Sequence, residues 1–105
     1  MYNKVAMIEL KKNLNKEFPN LIEKVVLFGS RVENNSDNYS DHDVLVVLKK
    51  PFNWRLKKRI WDTAFDINLD YDILTDIKLM SRGELNSTLG KLPFVQDALT
   101  KGFVL

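Results

Sequence analysis

The chain has 105 residues, 45% of them apolar, and its 16 basic and 14 acidic side chains leave a net charge of +2. That length suits one domain, 1–105, with a modest core, small enough for a partner subunit or a homo-oligomer to add stability. The near-balanced charge argues against a nucleic-acid binder held by bulk electrostatics, and the absence of cysteine excludes disulfides, thiolate zinc sites and cysteine nucleophiles.

His42 is the single histidine, which leaves no multi-histidine metal site. No apolar run approaches the roughly 18–20 residues of a membrane span, and the N-terminus shows no signal-peptide core. The expectation is a cytoplasmic protein without a membrane partner.

In chain order, Met7, Leu10, Leu14 and Phe18 recur at helical spacing and predict a helix over 4–18, stopped by Pro19-Asn20. Residues 24–28, KVVLF, read as a short buried strand that ends at Gly29. Turn formers fill 33–40, and the apolar run from His42 to Leu48 predicts a second strand, buried on both faces. Pro51 breaks it. A helix follows from about Asn53, with Trp54, Ile60, Trp61, Ala64 and Phe65 as its inner face and Arg55, Lys57, Lys58 and Arg59 outward. In INLDYDILTDI, apolar and acidic residues alternate, which predicts a strand starting near Leu69 with Asp70 and Asp72 on its polar face. The SRGELNST stretch with Glu84 reads as a surface turn, and 93–101 as a closing helix between Pro93 and Gly102, before an apolar end at 103–105. The order α-β-β-α-β-α implies an α+β fold: a small mixed sheet of three to four strands flanked by helices.

On a strand, residues i and i+2 share a face, so Asp41 and Asp43 project together and His42 points away into the packing. Two neighbouring carboxylates against an apolar strand repel one another, and desolvation worsens the cost. A cation resolves both problems, and hard oxygen donors suit Mg²⁺ or Mn²⁺ rather than zinc. One of Asp70 and Asp72 is available to join the pair if the third strand lies beside the second. A glycine after a buried strand lets backbone N–H groups approach a phosphate, Ser30 adds a hydroxyl donor, and Arg31 a phosphate-directed cation. These are the parts phosphoryl-type transfer requires. Trp54 and Trp61, seven apart, read as core, and the basic cluster from Lys49 to Arg59 as a solvated face.

The stretch FGSRVENNSDNYSDHDVLVV resembles the minimal nucleotidyltransferase domains of the DNA polymerase β superfamily: a strand ending in Gly-Ser, a loop, then Ser-Asp-x-Asp opening an apolar strand. YDILT is similar to the family's third-carboxylate strand, and LPFVQDALTKGFVL to its closing helix and ending. The resemblance implies a polymerase β-like palm. Gly29, Ser30, Arg31 and Ser40 would bind the nucleotide, and Asp41, Asp43 and Asp72 would be catalytic and hold two Mg²⁺ ions, with Asp70 the rival to Asp72. It implies transfer of a nucleoside monophosphate, AMP from ATP, to a hydroxyl such as a tyrosine on a HEPN-type helical partner, as the antitoxin of a toxin–antitoxin pair. A contact-only antitoxin and an antibiotic-type, small-molecule nucleotidyltransferase are the alternatives. Where the family often reads Gly-Ser-Arg-Ala-Arg-Gly, this chain has Glu33 for the second arginine and Asn34 for the second glycine.

Overall fold

The computed structural model of the chain describes residues 2–29 and 41–105. Helix α1, Lys4–Glu17, starts where the Asn3 side chain accepts the Ala6 N–H, and its buried face carries Ala6, Met7, Leu10 and Leu14. Strand β1 runs Ile22–Phe28, two residues earlier than its sequence suggests, and pairs antiparallel with β2, His42–Leu48. Helix α2 spans Trp54–Tyr71, capped by the Asn53 side chain on the Leu56 N–H. β3, Thr75–Ser81, lies parallel to β2. A one-turn helix α3, Arg82–Leu85, and a 3-10 turn, Thr88–Lys91, precede α4, Pro93–Lys101, and β4, Phe103–Val104, which pairs antiparallel with β1. The sheet order is β3-β2-β1-β4.

Both sheet faces are covered, which explains the unbroken apolar run of β2. Val44, Val46 and Leu48 pack with Val25 and Leu27 against α1 and α2, while Leu45 and Val47 join Val26, Phe28 and Met80 beneath Val95 and Ala98 of α4. The same alternation sends His42 to the α1 side, where its buried imidazole accepts the Asn3 N–H through Nε2 at 3.0 Å. It turns Asp43 to the α4 side, in step with Leu45 and Val47.

Three expectations are corrected. The strand expected from Leu69 is the end of α2: Ile60, Ala64 and Ile67 are buried along one helix face, so the apolar–acidic alternation of 67–73 is helical spacing sampled over a short window. Asp70 is therefore an exposed helical residue, and Asp72 is the exposed left-handed cap that ends α2, with φ 52° and ψ 51°. Trp54, Trp61 and Phe65, expected inside, are exposed, because the core-facing arc of α2 is taken by Ile60, Ala64 and Ile67. SRGELNST is helical rather than a plain turn, because Ser81 and Glu84 form a capping box: the Ser81 side chain accepts the Glu84 N–H and the Glu84 carboxylate accepts the Ser81 N–H.

Candidate active site

The site forms where β1 ends and β2 and β3 begin. β2 and β3 run parallel in a register that sets Asp43 directly beside Asp76, while antiparallel β1 sets Phe28 opposite Asp43, with Gly29 next in the chain. Paired residues on neighbouring strands share a face, so the Asp43 and Asp76 side chains both project toward α4. Lys78 follows on the same face of β3, its Nζ 3.5 Å from Asp76 Oδ2 and 5.9 Å from the centre of the Phe94 ring on α4. Asp41 is exposed in the residue preceding β2.

Gly29 is required where it stands. Its φ is +82°, a conformation that other residues rarely adopt, and a Cβ placed there would lie 2.3 Å from Asp43 Oδ2. The backbone of the β1 turn thus touches the carboxylate that opens β2, an approach no side chain would allow.

The electrostatics are those of an anion held without enough cation. Burial pushes the Asp43 carboxyl above its ordinary value, and the nearby Asp76 and Asp41 charges push it further the same way; Lys78 opposes them and Asp97 of α4 adds to them. Oxygen donors that repel one another and are partly desolvated suit a hard divalent cation such as Mg²⁺, which takes one or two carboxylates and completes its shell with water and phosphate oxygens. No three His, Cys, Asp or Glu side chains among the described residues are grouped to form a metal cage.

The carboxylates nominated from sequence are divided by the fold. Asp43 and Asp41 come together with Gly29, whereas Asp72 lies at the end of α2, outside the β2–β3 pairing. The strand acid beside Asp43 is Asp76, and sequence reasoning missed it along with Lys78. The available signal was TDIKLMS, in which Asp76 and Lys78 alternate with Ile77 and Leu79. Ser30, Arg31 and Ser40, and the departures at Glu33 and Asn34, lie outside the described residues.

The same fold recurs in solved toxin–antitoxin structures. A chain of the toxin–antitoxin MntA-HpeT, in a form with two Asp→Glu substitutions two residues apart, superposes with a TM-score of 0.63 at 21% identity, covering 98% of this chain and 72% of that one. A toxin–antitoxin structure with AMP-PNP gives 0.64 at 21% identity, over 98% and 72% of the two chains. An MntA-HpeT form with a Tyr→Ala substitution gives 0.61 at 24% identity, over 100% and 72%. The class is therefore the α+β fold of those chains. Its family follows from a match to the nucleotidyltransferase domain over residues 7–98: the chain belongs to the nucleotidyltransferase domain family and is a nucleotidyltransferase. It is also 35% identical over 66 residues to MJ0141 of Methanocaldococcus jannaschii, named as a candidate protein adenylyltransferase, across 63% of this chain and 67% of that protein.

Proposed function

We propose that the chain transfers AMP from ATP to a hydroxyl on a partner protein, with Asp43 and Asp76 as the central carboxylates and Asp41 beside them. The observation that carries this is the in-register pairing of Asp43 with Asp76 against the Gly29 turn. The likeness to a candidate protein adenylyltransferase and to a chain of a toxin–antitoxin structure with AMP-PNP supports the choice of nucleotide and of a protein acceptor. By the same likeness the partner is a HEPN-type helical toxin and this chain its antitoxin, and the Tyr→Ala form of the related complex is in keeping with a tyrosine acceptor.

In the reaction the acceptor oxygen attacks the α-phosphorus, the bond from that phosphorus to the bridging oxygen breaks, and pyrophosphate leaves. The hydroxyl proton passes to the Asp76 carboxylate, which stands on the outermost strand. Asp43 with Asp76, or with Asp41, would hold Mg²⁺ or Mn²⁺, which would supply charge neutralisation at the phosphates when bound. Gly29 brings backbone close to the phosphates, with Ser30, Arg31 and Ser40 the further phosphate contacts expected from sequence. Lys78 balances the carboxylates until the nucleotide arrives and then faces its phosphates.

The test incubates the purified protein with α-labelled ATP, Mg²⁺ and the helical partner. Covalent label on the partner that disappears with Asp43→Ala and with Asp76→Ala supports the reading. Absence of label, with the partner still neutralised by a variant carrying both Asp43→Ala and Asp76→Ala, would leave a contact-only antitoxin instead.

A further inference from the structure

Helix α2 carries two apolar faces. One is buried against the sheet, and the other, pointing away from the core, has Trp61, Phe65 and Leu69 at four-residue spacing, 46%, 56% and 66% exposed. Trp54 at the helix start and Leu74, two residues past its C-cap, are also exposed, 69% and 61%. An aromatic side chain presents about 150–250 Å², so the five together expose roughly 500 Å², the upper range for a lone monomer's largest patch. That is also a large share of the about 800 Å² one partner contributes to a standard interface.

The flanks of the patch define what would cover it. Asp62, Asp66 and Asp70 follow Trp61, Phe65 and Leu69 by one residue each, so acids run beside the apolar row over the later turns of α2, Asp62 and Asp66 sharing a cleft with Arg59, Asn13 and Glu17, whereas the first turns are basic, with Arg55 over the Trp54 ring at 5.6 Å and Lys57 over the Trp61 ring at 4.8 Å. Asp62 is paired with Lys58, whereas Asp66 and Asp70 have no ion pair among the described residues. On the other side a groove of about 200 Å³ separates α2 from the edge of β3, lined by Trp61, Phe65, Asn68, Thr75, Asp76 and Ile77. The Trp61 indole N–H donates to the Ile77 carbonyl across its floor at 3.3 Å.

The groove and the active site share Asp76. Across the sheet the order is Gly29, Asp43, Asp76 and then the edge, since β3 has β2 as its only strand neighbour among the described residues. With the phosphates at Gly29, an acceptor hydroxyl approaches from beyond Asp76, around the edge that the groove follows.

We propose that the outer face of α2, with the groove along β3, docks an amphipathic helix of the acceptor protein whose apolar stripe is flanked by lysine or arginine. The stripe seats on Trp61, Phe65 and Leu69, the basic flank meets Asp66 and Asp70, and the neighbouring segment rounds the β3 edge to bring its hydroxyl to Asp76. The assignment of the occupant as acceptor rests on the transfer reading above; the shape and charge of the surface do not.

The probe is a synthetic amphipathic helix of about 20 residues, long enough to hold helical structure, with a leucine stripe and lysine flanks, compared with the same peptide carrying glutamate flanks. Titrated into the isotope-labelled protein without nucleotide, the lysine peptide is expected to shift amides of residues 61–70 and 75–77. It should bind at least about 10-fold more tightly than the glutamate peptide. Phe65→Ser with Leu69→Ser, both exposed positions that leave folding intact, should weaken it at least as much. Equal affinity for both peptides, shifts centred instead on the apolar groove of Ile8, Phe103 and Val104 beside α1, or no binding overturns the proposal. So does a dimer of the free protein that the double variant dissociates, which gives the face to a second copy. A peptide seated on α2 while no AMP transfer is found overturns the transfer reading and leaves the surface standing.

Discussion

Replacing Gly29 with alanine tests the contact on which the site is built. The added Cβ would sit 2.3 Å from Asp43 Oδ2, 3.2 Å from its Cγ and 3.4 Å from its own Cβ, at a backbone φ of +82°. The left-handed conformation alone costs a non-glycine residue roughly 1–2 kcal/mol, and the clash adds to it until the carboxylate moves. A loss of about 2 kcal/mol lowers Tm by roughly 8–16 °C in a domain near this size. Activity should fall further than stability explains, because a displacement of about 1 Å at a reacting group can cost about 100-fold in rate. Gly83→Ala is the control: an added Cβ there finds only Ser81 Oγ at 4.0 Å, within helical α3, so it should be neutral or slightly stabilising. Thermal unfolding and AMP transfer are measured on both variants below their melting points. A Gly29→Ala protein with unchanged Tm and unchanged transfer rate would refute the close approach of this turn to Asp43.

Two further outcomes follow from the charges. Because burial and the neighbouring Asp76 and Asp41 raise the Asp43 pKa, the stability linked to that shift is present below the ordinary aspartate range and is lost as pH rises through the raised value. Asp43→Asn should therefore raise the Tm of EDTA-treated protein near pH 7 and change it little near pH 3, as read by calorimetry; a lower Tm at about pH 7 contradicts this. Lys78 is half exposed beside Asp76, so the pair is worth about 0.2–1 kcal/mol, or roughly a 1.4- to 5-fold change in an equilibrium constant. Lys78→Met should tighten Mn²⁺ binding to the nucleotide-free protein by that factor while raising KM for ATP; movement of both in the same direction counts against a cation that changes partners.

The first half of the fold was legible because local and tertiary signals agree. Val44 to Leu48 is apolar at every position since α1 and α2 cover one face and α4 the other, and Asp43 projects where period-two geometry puts it. The second half was not, because the two periods overlap around Asp66 to Ile73. Alternation there suggested a strand carrying Asp70 and Asp72, yet Trp61-Asp62, Phe65-Asp66 and Leu69-Asp70 repeat every four residues, which is helical. The strand begins only after Asp72 turns the chain in a left-handed cap, and the parallel register with β2 then selects Asp76. That register depends on contacts between distant residues, which no local window contains. The exposed row on α2 was misread for a related reason: Trp and Phe usually mark a core, and which side of a twice-apolar helix is buried is set by the sheet it meets.

The most direct measurement compares three single variants in the AMP-transfer assay: Asp43→Ala, Asp76→Ala and Asp72→Ala, each checked for an unchanged circular dichroism spectrum. The site described here predicts that transfer falls by at least about 100-fold for the first two, as expected when a group stabilising transition-state charge is removed. Asp72→Ala should stay within a few-fold of the parent. Loss of transfer at Asp72 with retention at Asp76 would contradict it.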